Sequence, residues 1–204
     1  SCRGYSASSD FPHDPDRTMM RLYLSLFCLP LVAIALATPA YESSYTSLAE
    51  NSCTTIAADE SAISTKQHCP GFGQYGVIVT ETDLRQSITL TREGKEYPLA
   101  FSRTVSPAWS MLGEVAEWRF ASSSPDHPVA MIVRLNLSEN PAAPDAMTSY
   151  LVVTRLSETG VCVVGKVPPL KGVEQNRLAR EMADKALTLA CLSNPTPPQA
   201  QITP

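Results

Sequence analysis

From Tyr75 to Val167 the chain is written in short β-branched runs separated by turn residues, and only one amphipathic segment follows. That order restricts the fold more than any motif does. Tyr75–Glu81 is apolar and β-branched. Leu84–Thr91 alternates, with Leu84, Ile88 and Leu90 facing one way and Arg85, Ser87 and Thr89 the other, the period of a half-buried strand. Arg92-Glu-Gly-Lys95 reads as a turn and Glu96–Phe101 as its returning partner. Val115–Ala121 puts Trp118 and Phe120 on one face and Glu117 and Arg119 on the other. Val129–Leu137 alternates again. Tyr150–Leu156 and Val161–Val167 are joined by Ser157-Glu-Thr-Gly160, where Gly160 suits a hairpin loop. Residues 122–128 and 138–147 are loops, the second carrying Pro141 and Pro144. The spacing of Leu178, Met182, Ala186 and Leu189 predicts a helix over Val173–Ala190 that covers a sheet. Hairpin-length connections and one closing helix predict an α+β domain. Its mainly antiparallel sheet is expected to form a small sandwich or an open barrel, with the C-terminal helix packed on it.

The first 40 residues read as an address. Residues 1–18 show no apolar period and look like a leader or an overextended start. Met19-Met20-Arg21 is followed by the apolar run Leu22–Ala37 and by small residues at Ala35, Ala37 and Ala40, the layout of a cleaved signal peptide. The run is sixteen residues long and contains Pro30, short of the roughly 20 that a membrane span needs. Cleavage after Ala37 or Ala40 satisfies the small-residue rule. No transmembrane span is then expected in residues 41–204. Removing 40 of 204 residues leaves 164, enough for one domain that buries roughly 70% of its unfolded surface. That domain is predicted over 41–191, with 192–204 a proline-rich disordered tail. Within it, residues 44–48 read as a short strand and the polar run from Cys53 to Cys69 as a loop at the mouth of the first long strand.

Cys2 and Cys28 leave with the leader, so Cys53, Cys69, Cys162 and Cys191 remain. An even number in a secreted chain favours disulfides. Of three possible pairings, Cys53–Cys69 and Cys162–Cys191 close the shorter loops. A zinc site is disfavoured, because no CxxC spacing is present and His68 is the lone neighbouring histidine. No metal or cofactor is expected.

The chemistry of a reaction is not written in the motifs. A net charge of −4 and a pI near 5.4 give no basic stripe for nucleic acid. Only His68 and His127 follow residue 40, and there is no Gly-x-Ser-x-Gly elbow. Gly71-Phe-Gly73 lacks the lysine of a phosphate loop and reads as turn geometry. Glu81 with Asp83, or Glu114 with Glu117, would serve glycan chemistry only at the right separation. Alternation puts Asp83 with Arg85 on one strand face and Glu117 with Arg119 on another. These pairs predict a cross-strand ladder of ion pairs or a ligand-binding surface. Trp109 reads as core, with an exposed loop anchor as the alternative.

Some of these residues carry a resemblance. Tyr45-Thr-Ser-Leu, Cys53, Cys69-Pro-Gly, Asp83-Leu-Arg85, Glu117-Trp-Arg119, Pro128–Arg134, Cys162-Val-Val and Asn176–Arg180 resemble a group of small secreted proteins of alphaproteobacteria with no assigned activity. The resemblance covers about residues 44–191. It implies a periplasmic address and both cysteine pairs, and it supplies no substrate. The expectation is a disulfide-stabilised periplasmic domain without catalytic activity. It would bind an envelope protein or cell-wall component through a sheet face or the 102–114 loop. The alternatives are an envelope hydrolase acting on glycan or peptide through acidic residues, and a structural or assembly factor.

Overall fold

The computed structural model describes residues 40–170 and 174–192, and the backbone of Gln199–Ala200. The leader, including Ala37, and all but this fragment of the tail beyond residue 192 lie outside the described residues. Ala40 is the first of these, and its carbonyl accepts the Ser122 amide at 2.9 Å.

Among the described residues eleven strands make one sheet. They are β1 (Tyr41–Ser47), β2 (Thr54–Asp59), β3 (Ser64–Phe72), β4 (Tyr75–Thr82), β5 (Arg85–Arg92), β6 (Lys95–Pro98), β7 (Trp109–Ala121), β8 (Pro128–Ser138), β9 (Thr148–Ser157), β10 (Gly160–Val167) and β11 (Gln199–Ala200). A one-turn helix, α1 (Phe101–Thr104), joins β6 to β7, and α2 (Glu174–Asp184) follows β10. The strand order is β10-β9-β8-β7-β5-β4-β3-β2; β6 lies beside β5, β11 beside β6, and β1 beside β7. All pairings are antiparallel except a single parallel bridge, Arg85 to Ser110. The expected α+β class is what the chain adopts.

Strand β7 organises the sheet. One edge pairs with β8. The other is shared: β1 takes Val115–Ala121 and β5 meets Ser110. The sheet curls about this strand. Val77, Val79, Ile88 and Leu90 from β4 and β5 therefore share one buried cluster with Trp118, Met131, Val133, Leu135, Val152 and Val163 from β7 to β10. Phe72 and Tyr75 place their rings 6.1 and 6.4 Å from Trp118. At the far end Arg92 reaches across from β5 to the carbonyls of Ser157 and Glu158, both at 3.1 Å, in the β9–β10 turn.

The outer face of β8 to β10 is buried too. Ala130, Ile132, Leu151, Val153, Cys162 and Val164 pack under Ala179, Ala183 and Ala186. The alternation along β8 thus separates two cores, not core from water. The helix rests on Ala179 and Ala183; of the expected stripe Ala186 is buried, while Leu178, Met182 and Leu189 are half-buried at the flanks. Gly165 of β10 leaves room for the Met182 side chain, whose sulfur lies where a Cβ at that position would be. The helix is also shorter than predicted, passing into a 3-10 turn at Ala186–Thr188. That shortening solves the geometry of the bridge. Eleven residues rise about 16 Å. This matches the roughly 17 Å from the end of β10 back to Cys162, so Cys191 arrives beside it.

Both disulfides are formed, Cys53–Cys69 and Cys162–Cys191. The segment between the first pair is not a loop. It forms the β2–β3 hairpin, with every residue of β2 exposed. Thr54-Thr-Ile-Ala-Ala-Asp59 buries neither face, so it carries no alternation to read.

Candidate interaction surface

Four large apolar side chains stand in solvent at one end of the sheet. They are Leu84 (54% exposed), Trp109 (47%), Met111 (55%) and Met147 (43%). They come from three connections: the β4–β5 turn, the start of β7 after α1, and the β8–β9 loop. Between them lie two adjoining hollows of about 240 and 430 Å³, both lined by Trp109, Ser138 and Pro144.

The backbone beneath is firmly built. Thr82 pairs with Arg85 across a two-residue turn, a connection that needs left-handed backbone at its centre. Asp83 (φ 52) and Leu84 (φ 56) supply it without a glycine. Asp tolerates this conformation, whereas leucine there is uncommon. Asp83 and Leu84 are therefore turn residues, not a continuation of the strand, and Leu84 points outward. Arg85 donates to the Pro107 carbonyl at 2.9 Å and pairs with the Asp83 carboxylate. The Ser110 amide donates to the Leu84 carbonyl at 3.0 Å, and the Leu112 amide to Gln86 Oε1 at 2.7 Å. Ser138 Oγ donates to the Pro144 carbonyl at 2.8 Å, folding the β8–β9 loop inward.

Trp109 corrects its expectation. The buried tryptophan is Trp118, whose indole N–H donates to Thr46 Oγ1 at 2.9 Å. Trp109 begins β7 opposite Ser138, the last residue of β8, so it lies past the end of the core. Trp109 and Met111 are two apart on a strand and share a face, a signal present in the sequence. Leu84 and Met147 carried no such signal, since their turns bring them in from distant segments.

Glu117 and Arg119 are elsewhere. They do not form a ladder with a neighbouring strand's charges; they grip α2. Arg119 makes a two-pronged pair with Asp184 at 2.8 and 3.0 Å. Arg180 donates to both Glu117 oxygens at 2.6 and 3.3 Å, which holds its guanidinium still more firmly protonated. Ser43 of β1 sits between, donating to Glu117 at 2.5 Å and accepting from Arg119 at 2.7 Å. Beside this clamp an open cleft of about 300 Å³ is lined by Tyr45, Glu114, Glu117, Arg134, Asn176 and Arg180. Of the candidate carboxylates, Glu117 is committed to Ser43 and Arg180, Asp83 to Arg85, and Glu81 accepts from Gln86 at 2.8 Å. Among the described residues no three His, Cys, Asp or Glu side chains converge to hold a metal ion, and no helix is long and apolar enough to cross a membrane.

The structure thus brings Asp83, Arg85 and Trp109 together and separates them from Glu117 and Arg119. Family models, curated proteins and solved structures were each compared with the chain, and none matches it.

Proposed function

We propose that the chain is an exported, non-catalytic binding module that docks a protein of the cell envelope through the Trp109 end of its sheet. One observation carries this reading. Three separate connections deliver Leu84, Trp109, Met111 and Met147 to one surface, and a clustered exposed apolar patch rimmed by charge marks an interaction site. Tryptophan is also among the residue types enriched in binding hot spots. The export half of the reading is supported by the leader pattern, by the resemblance to small secreted alphaproteobacterial proteins, and by two disulfides, which persist in oxidising compartments.

The test is capture from a periplasmic extract by the intact protein and by Trp109→Ala. The expected outcome is a discrete partner held by the first and lost by the second, with the thermal midpoints equal within about 2 °C, as for a surface change. Equal capture by both proteins would overturn the reading. N-terminal sequencing of the exported chain is expected to begin at Thr38 or Tyr41, and an intact 22–37 run would overturn the cleaved leader.

A further inference from the structure

The smaller of the two apolar hollows is bordered by acid. Glu81 and Asp145 line the one that holds Trp109 and Met111. Glu81 also faces an adjoining hollow, about 310 Å³, lined by Asp59, Glu60 and Ile63 from the β2–β3 turn. Ile63 is exposed there, with a left-handed backbone of its own. Among the residues lining these three hollows the basic one is Arg85. Its guanidinium is already taken by the Asp83 carboxylate and the Pro107 carbonyl. Glu81 meets only the neutral amide of Gln86, and Asp145 forms no ion pair among the described residues. The Asp59 carboxylate accepts from the Ser61 hydroxyl and from the Ser61 and Ala62 amides, which favour its charged form.

Resting on the docking surface above, we propose that its occupant is a cationic amphipathic peptide segment, one that carries Lys or Arg beside large apolar side chains. The apolar residues enter the hollows against Trp109, Met111 and Met147. The cations stand over the exposed indole face, where a cation–aromatic contact is favourable, and against Glu81, Asp145 and the Asp59–Glu60 turn. Opposite charge around an apolar centre sets register and excludes acidic competitors. The same acidic rim repels an anionic lipid surface, so the site selects peptide over membrane.

The experiment uses the full exported chain and labelled synthetic peptides followed by fluorescence anisotropy. One peptide alternates Lys and Leu, one alternates Glu and Leu, and one alternates Lys and Ser. The Lys/Leu peptide is expected to bind saturably and the other two at least tenfold more weakly. Raising salt from 0.05 to about 0.5 M should weaken binding severalfold, because exposed charge pairs are screened. Glu81→Gln with Asp145→Asn is expected to weaken binding at least fivefold at unchanged thermal stability, and Trp109→Ala to abolish it. Equal binding of the Lys/Leu and Glu/Leu peptides, lost in Trp109→Ala, overturns the cationic preference and leaves the apolar docking surface standing. Lys/Leu binding that survives Trp109→Ala, or no saturable binding at all, overturns the proposal. Tighter binding to phosphatidylglycerol vesicles than to the Lys/Leu peptide overturns it in favour of a membrane.

Discussion

At the scale of single residues the most demanding position is Arg92. It is 8% exposed, and among the described residues no carboxylate pairs with it. Its charge is spread instead over the Tyr75 hydroxyl at 2.9 Å, the Tyr97 hydroxyl at 3.4 Å and the two carbonyls of the β9–β10 turn. Its guanidinium carbon lies 5.5 Å from both tyrosine ring centroids. Every acceptor in this nest is neutral, so dipoles and not a counter-ion take up the buried charge. Arg92→Leu leaves two buried hydroxyls and two carbonyls short of a donor. It should cost about 2–4 kcal/mol, measured by urea unfolding. Burial pushes the Tyr75 phenol above its ordinary value of 10.0, with Arg92 opposing. A group whose folded value is raised contributes stability fully below its unfolded value and loses it above. Stability should therefore hold up to about pH 10 and fall beyond it, and Tyr75→Phe should flatten that alkaline limb. An unchanged limb in the variant would show that another group controls it. Part of this was legible. Arg92 continues the inward phase of Ile88 and Leu90 along β5. A charged residue next to a turn nevertheless reads as solvated, and only the curl of the sheet supplies its distant acceptors.

At the scale of elements, β8 and α2 show where periodicity informs and where it misleads. The alternation of Met131, Val133, Leu135 and Leu137 against Ala130 and Ile132 placed the strand correctly. It could not reveal that the second face is also dry, because that depends on a helix packed upon it. The helix itself was evident from its 3.6-residue period. Its contact line was read in part: Ala186 is buried as expected, but Leu178 and Met182 are only half-buried beside Ala179 and Ala183, because size was taken for depth. The alanine seam makes a sharp prediction. Ala183→Leu should overpack the joint and cost about 1–3 kcal/mol, whereas Leu187→Ala, at an exposed position, should lie within about 0.5 kcal/mol of zero. Equal effects in urea unfolding would refute the seam. The bridge at the end of this element closes a separation of 29 residues. Cys191→Ser should lower stability by about 3 kcal/mol and expose the α2 amides to exchange before those of β8. The hairpin β2–β3 escaped notice for the opposite reason: β2 is exposed on both faces and leaves no pattern.

At the scale of the whole molecule, the sheet curls around β7, which draws its partners from far apart in the chain. Tyr41 lies against Ala121, and Ser47 against Val115. Ser43 then joins the Glu117–Arg180 and Arg119–Asp184 pairs, so the earliest described strand and the last long helix meet through one strand in the middle. The apolar end depends on the same curl, which is why Leu84 and Met147 could not be placed beside Trp109 from the sequence. This topology imposes a schedule on the nascent polypeptide. A ribosome releases β1 about seventy residues before the partner it needs, so β1 must wait, unpaired, while the hairpins of β3, β4 and β5 close locally. The β8–β9–β10 meander offers a second local nucleus. β1 and α2 are expected to lock last and together, since each completes the other's hydrogen bonds. Pulse-labelled hydrogen exchange during refolding should protect β8 and β9 before β1 and α2; simultaneous protection of all four would contradict that order. Until that final step, β1 is a lone strand held in reserve for a helix made about 130 residues later.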